Sequence, residues 1–158
     1  MAKTTFAGVI SAFGAEARAK LDNPAISGAD EDQLRAPLEK LFHELSALDD
    51  LAPGSLSLVG ETTLSYLQTR PDYAVSVNNA LVGFIEVKAP GKGCDPRKFT
   101  DPHDKGQWGK LKSLPNLVYT DGNGFSLWRD GELAGKIVPL EGDIETSGAK
   151  LKAPETLR

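Results

Sequence analysis

The chain has 158 residues, of which 40% are hydrophobic and 25% charged, with a formal net charge of −4, a composition for one domain that buries roughly two thirds of its unfolded surface in a single core. No apolar run is long enough to span a membrane and no signal-peptide pattern occupies Met1 to Lys20, so the expected location is the cytoplasm. The single cysteine, Cys94, excludes an internal disulfide and a CxxC zinc clip, and reads as an incidental loop thiol.

In residues 3–21 the apolar positions Phe6, Val9, Ile10, Phe13 and Leu21 predict a short amphipathic helix ending before Asn23-Pro24, an N-terminal arm over 1–26. Ser27 to Asp30 supplies cap chemistry, and Leu34, Leu38, Leu41, Phe42, Leu45 and Leu48 recur at helical spacing over 31–48. Pro37 falls inside that span, so regular hydrogen bonding either starts near Leu34 or the helix kinks there. Glu44 sits at the edge of the apolar stripe and Glu39 on its opposite side; both are candidates for a site beneath the helix, though solvated surface charges are the commoner case. Asp49 to Gly54 is a turn cluster and Ser55 to Val59 a strand.

From Arg70 to Pro90 the sequence RPDYAVSVNNALVGFIEVKAP has the pattern of an apolar hairpin carrying Asp72, Glu86 and Lys88. A two-residue loop at Asn78-Asn79 with a continuous ladder mixes Glu86 and Lys88 into the face of Tyr73, Val75 and Val77. A three-residue loop that includes Ala80 instead pairs Val77 with Leu81 and Asp72 with Glu86. It leaves Tyr73, Val75, Val77, Leu81, Ile85 and Val87 on one face, and Asp72, Ala74, Ser76, Phe84, Glu86 and Lys88 on the other. Opposed residues have Cβ atoms about 5 Å apart, and two carboxylates held so repel unless a divalent cation lies between them. The expectation is therefore a metal site on a hairpin with the 72 to 86 pairing.

Ala89 to Gly93 ends the strand, and its Gly-Lys pair does not complete a nucleotide-binding P-loop. A helix follows over 104–113, carrying Trp108, Leu111 and an exposed Gln107; strands are expected over 116–120 and 125–129, with a turn at Asp121 to Gly124. His43 and His103 read as surface side chains. Residues 141–158 lose periodicity and read as a linker or tail, leaving a core over 27–140: a mixed sheet flanked by helices.

Charge is unevenly spread. Residues 1–61 hold five basic and ten acidic side chains, whereas Glu86 to Lys112 hold seven basic and four acidic. Within this basic stretch Lys92, Arg97, Lys98, Lys105 and Lys110 form a candidate phosphate-binding rim beside the carboxylates; a solvated loop and helix surface is the plainer alternative. Oxygen ligands in the pattern Asp, a dozen residues, Glu-x-Lys suit Mg²⁺, which is often held by one or two carboxylates plus a substrate phosphate. The lysine then positions a nucleophile or stabilises developing negative charge, so phosphodiester hydrolysis fits these parts.

Pro71-Asp72 followed by Glu86-Val87-Lys88 resembles the PD-(D/E)XK nuclease superfamily. The longer string GETTLSYLQTRPDYAVSVNNALVGFIEVKAPGKGCDPRKF, followed by HDKGQWGKLKSLPNLVYTDGNGFSLWRDGEL, resembles the N-terminal nuclease domain of single-polypeptide restriction-modification enzymes, over Gly60 to about Leu133. The resemblance implies an α/β fold with an αβββαβ core, a nuclease domain over 1–140, and a Mg²⁺-dependent DNA endonuclease, with Mn²⁺ as a substitute. It also implies a role in restriction-modification or phage defence. Asp72 and Glu86 would be metal ligands, joined by the Val87 backbone carbonyl and an acidic residue of the first helix, Glu39 or Glu44. Lys88 would be the catalytic lysine, and Gln107 matches a glutamine many members carry near DNA or the active site. Implied partners are DNA and methyltransferase, translocase or target-recognition domains, in the same or an associated chain, with a dimer on DNA among the assemblies. Nothing after Pro139 resembles a methyltransferase, so the expectation is an excised domain or a stand-alone relative. The competing reading is a module of the same fold that docks DNA or protein without cutting.

Overall fold

The computed structural model describes residues 4–23, 29–60 and 69–157. Helix α1 (Phe6–Leu21) starts at Thr5, whose hydroxyl accepts the Gly8 N–H at 3.0 Å. The helix expected over 31–48 is broken at Leu34 into α2 (Asp30–Gln33) and α3 (Arg35–Leu48). Pro37 thereby falls in the first turn of α3, where its missing N–H is not needed. Ser27, expected to cap this region, lies outside the described residues.

The sheet contains β1 (Leu56–Gly60), β2 (Tyr73–Val77), β3 (Ala80–Val87), β4 (Leu117–Thr120), β5 (Gly124–Arg129) and the short β6 (Glu132–Leu133) in spatial order, with β7 (Val138–Pro139) also on β5. All neighbours are antiparallel except β3 and β4, which run parallel because the chain crosses over through α4 (Pro102–Leu111). The order α3, β1, β2, β3, α4, β4 makes this the expected mixed α/β fold with an αβββαβ core. Among the described residues no helix is long and apolar enough to cross a membrane.

The hairpin reaches its pairing by a route that differs from the expected one. Its loop has two residues, Asn78 and Asn79, with φ of 51° and 66°, the paired left-handed conformation whose twist suits adjoining strands. Val77 therefore pairs with Ala80, not with Leu81. The register then shifts: Ser76 faces Leu81 but Val75 faces Gly83, leaving Val82 as the extra residue of a β-bulge. From there Ala74 faces Phe84 and Tyr73 faces Ile85, restoring the alternation a three-residue loop would have given. The bulge is anchored to the start of β4, where Asn116 donates from Nδ2 to the Val82 carbonyl at 2.9 Å and accepts the Phe84 N–H at 3.0 Å. Gly83 permits that approach, since a Cβ there would lie 2.5 Å from the Asn116 carbonyl oxygen.

Both sheet faces are covered. Val9, Ile10, Phe13 and Ala17 of α1, with Leu34, Leu38 and Leu41, pack on the face of Tyr73, Ile85 and Val87. Leu111 of α4, with Phe99 and Leu114, packs on Ala74, Phe84, Leu117, Tyr119 and Trp128. The segment after Leu140 is a correction to the expected linker or tail, because Ile144, Leu151 and Ala153 are all buried in the α1 and α3 core. It is pinned by a bridge between Glu141 and Lys152, and at Gly14, whose absent Cβ would come 2.2 Å from the Gly148 carbonyl oxygen. The N-terminal arm packs as a wall of the same core, with Val9, Ile10, Phe13 and Ala17 of α1 buried.

Leu151 is 1% exposed, so Leu151→Ala should destabilise the protein by about 2 to 5 kcal/mol in chemical denaturation. A residue on a loose tail would cost less than about 0.5 kcal/mol.

Candidate active site

Asp72 immediately precedes β2, one step beyond the Tyr73 and Ile85 pair, and so stands opposite Glu86 of β3. Backbone and side chain lock the two together: the Asp72 N–H donates to Glu86 Oε1 at 3.2 Å, and the Val87 N–H donates to Asp72 Oδ2 at 2.7 Å. The remaining Asp72 oxygen accepts from Arg35 Nη2 of α3 at 3.0 Å. Arg35 also lies 3.6 Å from Asp32 and over the Tyr73 ring.

Lys88, two residues beyond Glu86, emerges on the same face and reaches toward α4. Its Nζ lies 3.3 Å from Glu86 Oε2 and donates to Asp104 Oδ1 at 3.1 Å and to Gln107 Oε1 at 2.6 Å. Asp104 and Gln107 sit one turn apart because Asp101 caps α4, accepting from the His103 and Asp104 N–H groups, and Pro102 fixes its first turn. The other oxygen of Asp104 pairs with Lys92 from the loop after β3. Glu86, Lys88 and Asp104 are 4%, 5% and 3% exposed, a concentration of buried charge that occurs only where partners are present.

The electrostatics follow from that crowding. Burial, and then the neighbouring Asp72 carboxylate, push the Glu86 carboxyl up to about 8 from 4.5; Lys88 pulls the other way without winning. Burial would also raise Asp104, but hydrogen bonds from Lys92 and Lys88 outweigh it and hold that carboxyl below its ordinary value. Tyr119, the β4 partner of Glu86, is fully buried and its hydroxyl has no hydrogen-bond partner among the described residues. Burial, followed by the charges of Glu86, Asp104 and Asp72, raises its phenol.

The structure thus brings Asp72, Glu86, Lys88 and Gln107 together, with the Val87 backbone between them. Of the two helix glutamates, Glu44 lies 3.8 Å from Lys40 and lines a groove against Thr4, Thr5, Gly8 and Val9, while the charge of Glu39 acts on the phenol of Tyr73, the residue after Asp72. The helix acid coupled to the site is Glu31 of α2, whose carboxyl is raised by loss of surrounding water and then by Asp72, against the pull of Lys88 and Lys92. All five cations of the basic rim, Lys92, Arg97, Lys98, Lys105 and Lys110, are exposed; Lys92 pairs with Asp104, and Arg97 is clamped by Asp95 at 2.9 Å over the Trp128 ring. Sequence reasoning missed Asp104, Glu31 and Arg35. The only available signal was helical spacing, with Asp104 three residues before Gln107.

Asp72 and Glu86 offer hard oxygen donors of the kind Mg²⁺ takes, and that ion needs only one or two carboxylates because it keeps several waters. Their contact at a site where Glu86 resists ionisation is a deficit of positive charge that such an ion fits. Among the described residues no three His, Cys, Asp or Glu side chains converge as a ready cage.

No protein-family model matches the chain, and no curated protein is similar to it in sequence. Among solved structures, a chain of the structure described as a cryo-EM DrdV–DNA complex superposes with a TM-score of 0.59 at 18% sequence identity, covering 90% of this chain and 90% of that one. A likeness at that identity establishes a shared fold.

The raised Glu86 value has a definite sign. Its contribution to stability is fully present below the unfolded value of 4.5 and is lost as pH rises through about 8. In EDTA, the melting temperature should therefore fall from pH 5 to pH 8 more steeply for the parent than for Glu86→Gln; parallel pH profiles would contradict the assignment.

Proposed function

We propose that this chain is a Mg²⁺-dependent DNA endonuclease module of the PD-(D/E)XK kind, the cleavage domain of a restriction-modification or phage-defence system. The observation that carries this reading is the convergence of Asp72, Glu86 and Lys88 on one face of adjacent strands, with each carboxylate held by a backbone N–H from the other strand and the lysine 3.3 Å from Glu86. The fold shared with a chain of a DNA-bound complex supports DNA as the substrate.

In this reading Asp72, Glu86 and the Val87 carbonyl hold the ion. Bound Mg²⁺ would supply charge neutralisation at the phosphoryl group and acidify a water. Lys88 orients the attacking water or stabilises charge on the phosphoryl oxygens as the bond to the leaving sugar oxygen breaks. Gln107 holds Lys88. Lys98, Lys105 and Lys110, exposed cations of the basic stretch, would make sequence-independent phosphate contacts, and Mn²⁺ serves in place of Mg²⁺. Methyltransferase, translocase or target-recognition domains would supply sequence choice.

One observation favours the docking alternative. Arg35 already neutralises Asp72 and Lys88 already faces Glu86, the arrangement of a silent site whose charges satisfy one another. Nicking of supercoiled DNA at low salt separates the two. The parent should nick with Mg²⁺ or Mn²⁺ and not with EDTA, and Asp72→Ala and Lys88→Ala should each lose roughly 10²-fold or more. Full activity in either variant would remove the site assignment, and a metal-binding parent that never cuts would favour docking.

A further inference from the structure

Lys88 ends in a group with three protons, and three oxygens surround it: Glu86 Oε2 from its own strand, and Asp104 Oδ1 and Gln107 Oε1 from α4. The two α4 acceptors are the nearer, at 3.1 and 2.6 Å, against 3.3 Å for Glu86. The lysine is therefore drawn off the strand toward the helix. Gln107 carries no charge, so the charge opposing Glu86 in that competition is the carboxylate of Asp104, itself 3% exposed. We propose that Asp104 is the positioning residue for Lys88: it shares the ammonium with Glu86, so that Lys88 is not given over to the Asp72 and Glu86 pair alone, while Lys92 balances its outer oxygen. The bearing of this on cleavage rests on the nuclease reading above; the contact itself does not.

Three features make Asp104 suited to the task. It lies in the first turn of α4, where the helix dipole favours a negative side chain. Its hydrogen bond to Lys88 is sheltered from water, where a charged pair is strong and the loss of one partner is costly. Its second cation, Lys92, comes from the loop and has a side chain 37% exposed, so Asp104 joins a buried lysine to a solvent-facing one. Without the Asp104 charge, Lys88 would keep Glu86 as its only anionic partner. The ammonium would then settle on a carboxylate that the nuclease reading needs for the ion.

The test uses the full chain with ¹⁵N-labelled lysine, because a lysine ammonium gives an observable ¹H–¹⁵N signal only when hydrogen bonds slow its proton exchange. The parent should show such a signal, assigned through its loss in Lys88→Arg. Asp104→Asn, which keeps the shape and removes the charge, should move its ¹H and ¹⁵N shifts as the ammonium re-seats on Glu86. In the nicking assay the same variant should lower kcat by about 10²-fold while KM changes by less than about twofold, the pattern of a misplaced reacting group. Should Asp104→Asn fail to fold, Asp104→Glu keeps the charge one methylene displaced and should move the signal and lower kcat. A Lys88 signal at unchanged shifts in the folded variant would overturn the proposal, as would a moved signal with unchanged kcat. If the parent binds metal but cuts no DNA, the nuclease reading fails, and the ammonium signal still decides whether Asp104 holds Lys88.

Discussion

The contact between the Asp72 and Glu86 carboxylates is the constraint on which the rest of the site depends. Two acids do not meet in a buried setting unless the backbone forces them to, and here it does so through both the Asp72 and Val87 N–H groups. The enforcement begins farther up the hairpin. A two-residue asparagine loop with an uninterrupted ladder would place Glu86 among the hydrophobes packed under α3; the extra residue at Val82 turns it to the face beneath α4. That bulge is in turn fixed by Asn116 at the start of β4, so the crossover through α4 and the orientation of Glu86 are set by one local junction.

Around the pair, the protein spends its cations in a definite order. Arg35 of α3 reaches Asp72 from one side of the sheet, and Lys88 reaches past Glu86 to Asp104 and Gln107 on the other. Lys92 closes the chain of charges at Asp104. Even so, Glu86 remains hard to ionise, because desolvation and Asp72 together exceed the help from Lys88. A site so arranged is short of positive charge, and in the function we propose a hard divalent cation with a phosphate substrate would supply it.

Much of this was legible in the sequence, and the limits have physical causes. Strand alternation reports which residues share a face, so the grouping of Asp72 with Glu86 and Lys88 could be read directly, as could the packing helices and the αβββαβ order. The loop length could not, because a shorter loop with a bulge gives the same alternation as a longer loop without one. Helix α3 was legible as a helix, and the pairing of Glu44 with Lys40 is the i, i+4 neighbour its spacing supplies, whereas the effect of Glu39 on Tyr73 crosses a tertiary contact that spacing cannot show. Glu31 and Arg35 were invisible for a related reason, since each reaches the site across a tertiary contact; Asp104 left one signal, its place three residues before Gln107 on α4. The segment after Leu140 buries Ile144, Leu151 and Ala153 singly between polar residues, which leaves no period to detect.

The central claim is that the hairpin register builds a place for a divalent cation between Asp72 and Glu86. Anomalous diffraction from a crystal of the protein grown with Mn²⁺ tests it most directly. A single strong peak within coordination distance of both carboxylates, with the Arg35 guanidinium displaced from Asp72, is the result the account predicts. A fully occupied crystal surface with no peak at the pair, and Arg35 still seated on Asp72 at millimolar metal, would contradict it.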